Sequence, residues 1–176
     1  MKIGFTGTMS VGKTTLVKAL KEVPEFKNYN FATERSAYLS SLGIPLNYET
    51  TIEGQTVFLA ERVTELMQEN IITDRTILDV MAFTNKALKI NYMDADAFEK
   101  YASRFLNKYD YIFYISPEGV EMEDNGIRET DLEYRKQIDE EIKKLILKHN
   151  KSTREWFTIS GTTEERIEQI IGLINF

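Results

Sequence analysis

The chain contains no cysteine, which excludes a disulfide framework and a zinc–thiolate centre and fits a reducing, cytoplasmic setting. It contains no apolar run long enough to cross a bilayer. Its first residues lack the basic segment followed by an apolar one that marks a secretory leader, so a soluble protein with no membrane partner is expected. An excess of basic residues is also missing: 22 Lys and Arg stand against 28 Asp and Glu, a formal charge of −6. That balance disfavours nonspecific attraction to nucleic acid and favours a small acceptor. No repeat, low-complexity tract or break in composition divides the 176 residues, so a single domain over 1–176 is expected, monomeric or homodimeric. The one histidine, His149, continues an apolar stripe at a helix end and reads as a partly buried or capping residue rather than a catalytic one.

What is present is an alternation of strand-like and helix-like patterns. Short apolar runs at residues 2–6, 29–33, 71–73, 109–115 and 156–160 read as strands, the fourth fully buried by its aromatic and β-branched content. Between them, helical spacing predicts helices over 13–23, from Glu34 and Arg35 to about Gly43, over 52–69, 76–89, 95–107 and 132–149, and a last one carrying Ile167, Ile170 and Ile171. In the 52–69 helix, Leu59, Val63, Leu66 and Met67 form the recurring apolar set. The order predicts an α/β fold of three layers: a mostly parallel five-stranded sheet with helices on both faces and ligands at the carboxyl ends of the strands. Residues 120–131 are acidic and aperiodic, so the stretch 120–135 is a candidate lid.

Gly7-Thr8-Met9-Ser10-Val11-Gly12-Lys13-Thr14 has the form Gly-x4-Gly-Lys-Thr, follows a predicted strand and opens a predicted helix. That context is what a phosphate cradle requires, because main-chain N–H groups and the positive helix end bind the anion. Lys13 would reach the β- and γ-phosphates, the Thr14 hydroxyl would bind Mg2+, and Thr15 would support the helix start. The guanine-reading Asn-Lys-x-Asp pattern is missing, since Asn85-Lys86 and Asn150-Lys151 lack its aspartate, so ATP rather than GTP is expected.

Asp74 closes the third strand, where a carboxylate could orient the water shell of Mg2+, and Arg75 beside it could touch an acceptor or the transferring phosphoryl group. Glu34, after the second strand, could take the proton of an acceptor hydroxyl, with Arg35 next to it; a carboxylate at a helix N-terminus is the plainer alternative. Arg128 and Arg135 bracket the end of the candidate lid and could close on the β- and γ-phosphates, or pair with the surrounding Glu123, Asp124, Glu129 and Asp131. Gln55 carries an amide able to read the edge of a planar base, or to cap a loop. Gly161 and Thr162, after the last strand, could frame the adenine. Asp79 reads as a solvated helix residue and Arg166 as a salt-bridged one.

With these residues in place the chain resembles the P-loop small-molecule kinases, in particular the nicotinamide riboside kinase-like group of ATP-binding domains, many from bacteria and phages. The resemblance rests on residues 7–15, Thr33-Glu34-Arg35, Asp74, Asp124-Asn125-Gly126-Ile127-Arg128, and Ile159-Ser160-Gly161 with Glu165-Arg166. Asp74-Arg75-Thr76 and the Gln55 helix also look like the deoxynucleoside and thymidylate kinases. It implies an ATP- and Mg2+-dependent kinase of a nucleoside or nucleotide-like small acceptor, located in the cytoplasm of a cell or of a phage's host. Lys13, Glu34, Asp74 and Arg128 would be its catalytic residues. Two other readings stay open: a kinase of hydroxyl groups on nucleic acid, such as a hydroxymethylated pyrimidine in phage DNA, and an ATP-binding regulatory module.

Overall fold

The computed structural model describes residues 1–118, 131–150 and 155–175. Five strands, β1 (Lys2–Thr6), β2 (Asn30–Ala32), β3 (Ile71–Asp74), β4 (Tyr111–Ile115) and β5 (Glu155–Ile159), form one sheet in the order β2-β3-β1-β4-β5. All four pairings are parallel, so the sheet is wholly rather than mostly parallel. Parallel neighbours need crossovers, and helices supply them. These are α1 (Lys13–Leu20), α2 (Ser36–Ser41), α3 (Ile52–Glu65), α4 (Ile77–Asn85), α5 (Tyr92–Ala102), α6 (Leu132–His149) and α7 (Thr163–Leu173).

Strand residues alternate between two cores, as the pleat requires. Ile3, Phe5, Ile72, Phe113 and Ile159 pack with Leu16, Val17 and Leu20 of α1 and Ile170 of α7. On the other face, Ile112 and Tyr114 pack with apolar residues of α3, α4, α5 and α6. The result is three layers, helix–sheet–helix, as the alternation predicts. Among the described residues no helix is long and apolar enough to cross a membrane.

Several element boundaries differ from expectation: α1 and α4 end sooner, at Leu20 and Asn85, α5 lies earlier, at Tyr92–Ala102, and two others bear on the site. The helix after β2 begins at Ser36, so Glu34 and Arg35 precede it; Arg35 is non-helical at φ −119°, and the Ser36 N–H donates to Glu34 Oε1 at 2.8 Å. Helix α3 ends at Glu65, which leaves Leu66 buried but turns Met67 outward, 66% exposed.

Candidate active site

β1 lies between β3 and β4, and the chain leaves its carboxyl end directly into the glycine-rich loop. This is the switch point of the sheet, where connections diverge to either side and a crevice opens. Gly7 has φ 151°, and a Cβ there would come within 2.8 Å of the Ile115 carbonyl oxygen. Ser10 and Gly12 adopt left-handed conformations, φ 56° and 84°. Such turns curve the backbone so that its N–H groups can converge on an anion. Lys13 is buried, its ammonium donating to the Gly7 and Thr8 carbonyls at 2.6 and 2.7 Å. Thr15 lies exposed in the first turn of α1.

Two helices hold the loop from outside. Arg135 Nε donates to the Met9 carbonyl at 3.2 Å, while the Thr8 hydroxyl donates to the Arg135 carbonyl at 2.7 Å. Arg166 Nη1 donates to the Val11 carbonyl at 2.7 Å. Gly161, at φ 94°, and Thr162 link β5 to α7; Thr162 forms a reciprocal cap with Glu165, so its side chain serves the helix end.

Asp74 is buried at the end of β3, beside Phe5 of β1 in the sheet register. The Thr14 hydroxyl donates to its Oδ2 at 2.5 Å. Among the described residues no three His, Asp or Glu side chains gather as a metal cage. A Mg2+ ion at this point could take Thr14 Oγ1 and Asp74 as protein contacts and the remainder from phosphate oxygens and water. The hydroxyl and carboxylate fit that hard, oxygen-seeking ion.

Against the loop lies a cleft of about 640 Å3, counting its open mouth, lined among others by Met9, Glu34, Gln55, Phe58, Arg75 and Phe83. Met9 thus belongs to both the phosphate loop and the cleft. Arg75 adopts φ 84°, a conformation few non-glycine residues hold, and its guanidinium reaches Glu34 at 3.8 Å and Asp79 at 3.5 Å. It also lies 5.2 Å from the centre of the Phe83 ring. Burial pushes the Glu34 carboxyl up, but Arg75, the Ser36 hydrogen bonds and Lys13 outweigh it and hold it below its ordinary value. Gln55 is buried, with Nε2 donating to Thr50 Oγ1 at 2.8 Å. Arg35 is half exposed and pairs with Glu61 at 3.2 Å.

The structure brings Gly7 to Thr14, Glu34, Arg35, Gln55, Asp74, Arg75 and Arg135 to one edge of the sheet. Arg128 and residues 120–130 of the candidate lid lie outside the described residues; 131–135 form the cap and first turn of α6. Two residues differ from their sequence reading. Asp79 is not solvated but 1% exposed: it takes the Thr76 N–H in a capping box and faces Arg75. Arg166 has no ion pair among the described residues and instead braces the loop. Arg62 went unnoticed in the sequence; it is buried, lines the cleft, and donates to the Asp74 carbonyl at 2.8 Å and to Glu65 at 2.6 Å. Its signal was a place three residues after Leu59 and four before Leu66, on the inward face of α3.

A parallel sheet in this order with a glycine-rich phosphate loop after β1 defines the P-loop nucleoside triphosphatase class of fold. More particularly, the model of the AAA domain family (AAA_28) matches residues 2–166, and the chain belongs to that family. A search of the curated proteins finds no match. Among solved structures, deoxyadenosine kinase from M. mycoides with products dCMP and a flexible dCDP bound superposes with a TM-score of 0.66 at 20% identity, covering 98% of this chain and 97% of that one. NadR protein in complex with NR gives a TM-score of 0.71 at 17% identity, covering 96% of this chain and 50% of that one. The chain therefore spans about half of NadR, and at these identities the likeness is one of fold.

Proposed function

We propose that the chain is an ATP- and Mg2+-dependent kinase that phosphorylates a hydroxyl group of a nucleoside. The observation that carries this reading is the shared wall: Met9 belongs to the loop and lines the cleft, and Glu34 lines the same cleft. A phosphoryl donor and a hydroxyl acceptor would thus meet without crossing solvent. The printed descriptions of the neighbouring folds, a deoxyadenosine kinase and a protein in complex with NR, support an acceptor of this kind.

The charges favour a nucleoside over a monophosphate. Each cleft arginine already faces a carboxylate: Arg75 faces Glu34 and Asp79, Arg62 faces Glu65, and Arg35 faces Glu61. A dianionic acceptor phosphate would have to compete with those carboxylates for its cations.

In this reading the loop N–H groups and Lys13 hold the triphosphate. Glu34 accepts the acceptor hydroxyl's proton as its oxygen bonds to the γ-phosphorus and the bond to the β-bridging oxygen breaks, releasing ADP. Thr14 and Asp74 would hold Mg2+, which would supply charge neutralisation to the phosphate chain. Gln55 and the rings of Phe58 and Phe83 would hold a flat base, and Arg135 would keep the loop closed against α6. The test is transfer of labelled γ-phosphate to parallel panels of nucleosides and nucleoside monophosphates. Labelled nucleoside is expected; label only on monophosphates would overturn the acceptor assignment, and label on neither would overturn the activity.

A further inference from the structure

Arg166, in the first turn of α7, is 4% exposed, and among the described residues it pairs with no carboxylate. One hydrogen bond, Nη1 to the Val11 carbonyl at 2.7 Å, is its contact with the loop, and its Nε is buried without a partner. Burial acts alone on the guanidinium and pushes its pKa down, as befits a cation with no counter-charge. A buried, unpaired cation is costly to a fold, so its place beside the loop calls for a compensating anion.

Its neighbours say which anion. A Cβ on Gly12 would lie 3.1 Å from Arg166 Nη1, so the guanidinium packs directly on the peptide between Val11 and Gly12. In a trans peptide the carbonyl and the N–H point in opposite directions. Fixing the Val11 carbonyl on Arg166 therefore turns the Gly12 N–H away from α7. Arg135 does the same from α6 for the peptide between Met9 and Ser10. Left-handed Ser10 separates the two pinned peptides.

We propose that Arg166 is a positioning residue of the phosphate loop: it orients the Gly12 N–H toward a bound phosphate chain, and its own charge is balanced when a polyphosphate anion fills the loop. The inference rests on the loop binding nucleotide, as proposed above.

Calorimetric titration with Mg-ATP and with tripolyphosphate, on the parent chain, Arg166→Met and Arg166→Lys, tests it. Arg166→Met should weaken both ligands about tenfold or more, while its unliganded melting temperature stays level or rises because a buried charge is gone. Arg166→Lys should recover part of the affinity. If Arg166→Met fails to fold, Arg166→Gln replaces it in the same comparison. A folded Met or Gln variant that binds tripolyphosphate as tightly as the parent overturns the proposal, as does a Lys variant no tighter than the Met variant. A parent chain that takes up neither ligand overturns the nucleotide reading itself.

Discussion

In the proposed reaction, Glu34 is where proton transfer and electrostatics meet in one side chain. Its carboxyl is held below the ordinary glutamate value, so it is ionised throughout the neutral range. Its stabilising contribution is present above its unfolded pKa and is lost as pH falls through the lower folded one. In a steady-state pH profile, the acid limb of kcat/KM should accordingly fall below the usual glutamate range. Glu34→Gln should lower kcat by about 10²–10⁴ with little change in ATP affinity. Glu65 behaves oppositely. Burial raises it to about 7, with Glu61 and Asp74 assisting against Arg62. Its folded pKa lies above its unfolded value, so stability is lost as pH rises from 4.5 toward about 7. Thermal melts should show the parent losing stability as pH rises through that window, a pH-dependent loss that Glu65→Gln should not show. The positions of Lys13 and Thr14 in the loop and of Asp74 at the end of β3 were legible because a loop motif and a strand end are local patterns. Arg62 and Arg166 were not, since what they touch lies 12 and 155 residues away in the chain. Asp79 fell between: the Thr76-x-x-Asp79 spacing of a capping box was in the sequence, but its contact with Arg75 depends on a left-handed residue no pattern announces.

Among the elements, α4, α5 and α6 are tied together by one amide. Asn85 Nδ2 donates to Glu99 at 3.0 Å and to Glu141 at 2.9 Å, two buried carboxylates on different helices. Lys148 and His149 satisfy Glu99, and Lys86 and Lys144 approach Glu141. Asn85→Ala should cost about 2–4 kcal/mol, because both carboxylates stay buried without their shared donor. Urea unfolding would measure it, with the slope unchanged if the native state keeps its compactness. The helices themselves were legible as periodic runs, and His149 against Glu99 is the partly buried residue its position suggested. The start of α2 was not, because Glu34 uses its carboxylate to hold the Ser36 N–H and so belongs to the cap rather than the helix. Periodicity reports which face is apolar; it does not report which side chain closes the end.

At the scale of the molecule, alternating patterns told of a parallel sheet between helical layers, but not that β1 would stand between β3 and β4. Strand order follows from pairings across most of the chain, such as Gly4 with Thr73 and Ile112, which no local pattern encodes. That order lets one loop and one cleft share a wall, and occupancy should be felt by the whole fold. Mg-ATP at a hundred times its dissociation constant adds about 2.7 kcal/mol, which for a domain of this size is a rise in melting temperature of about 5–10 °C. Scanning fluorimetry would read it, and Lys13→Met should abolish most of it. All five strands run the same way, so the opposite rim of the sheet carries other things. There the Met1 amino group donates to the Glu69 carbonyl at 2.8 Å, and the Asn175 N–H reaches the Tyr111 hydroxyl at 3.3 Å. A fluorophore, a fusion partner or a sensor surface joined at either of those points would hang from the far side of the protein, leaving the mouth of the cleft unobstructed.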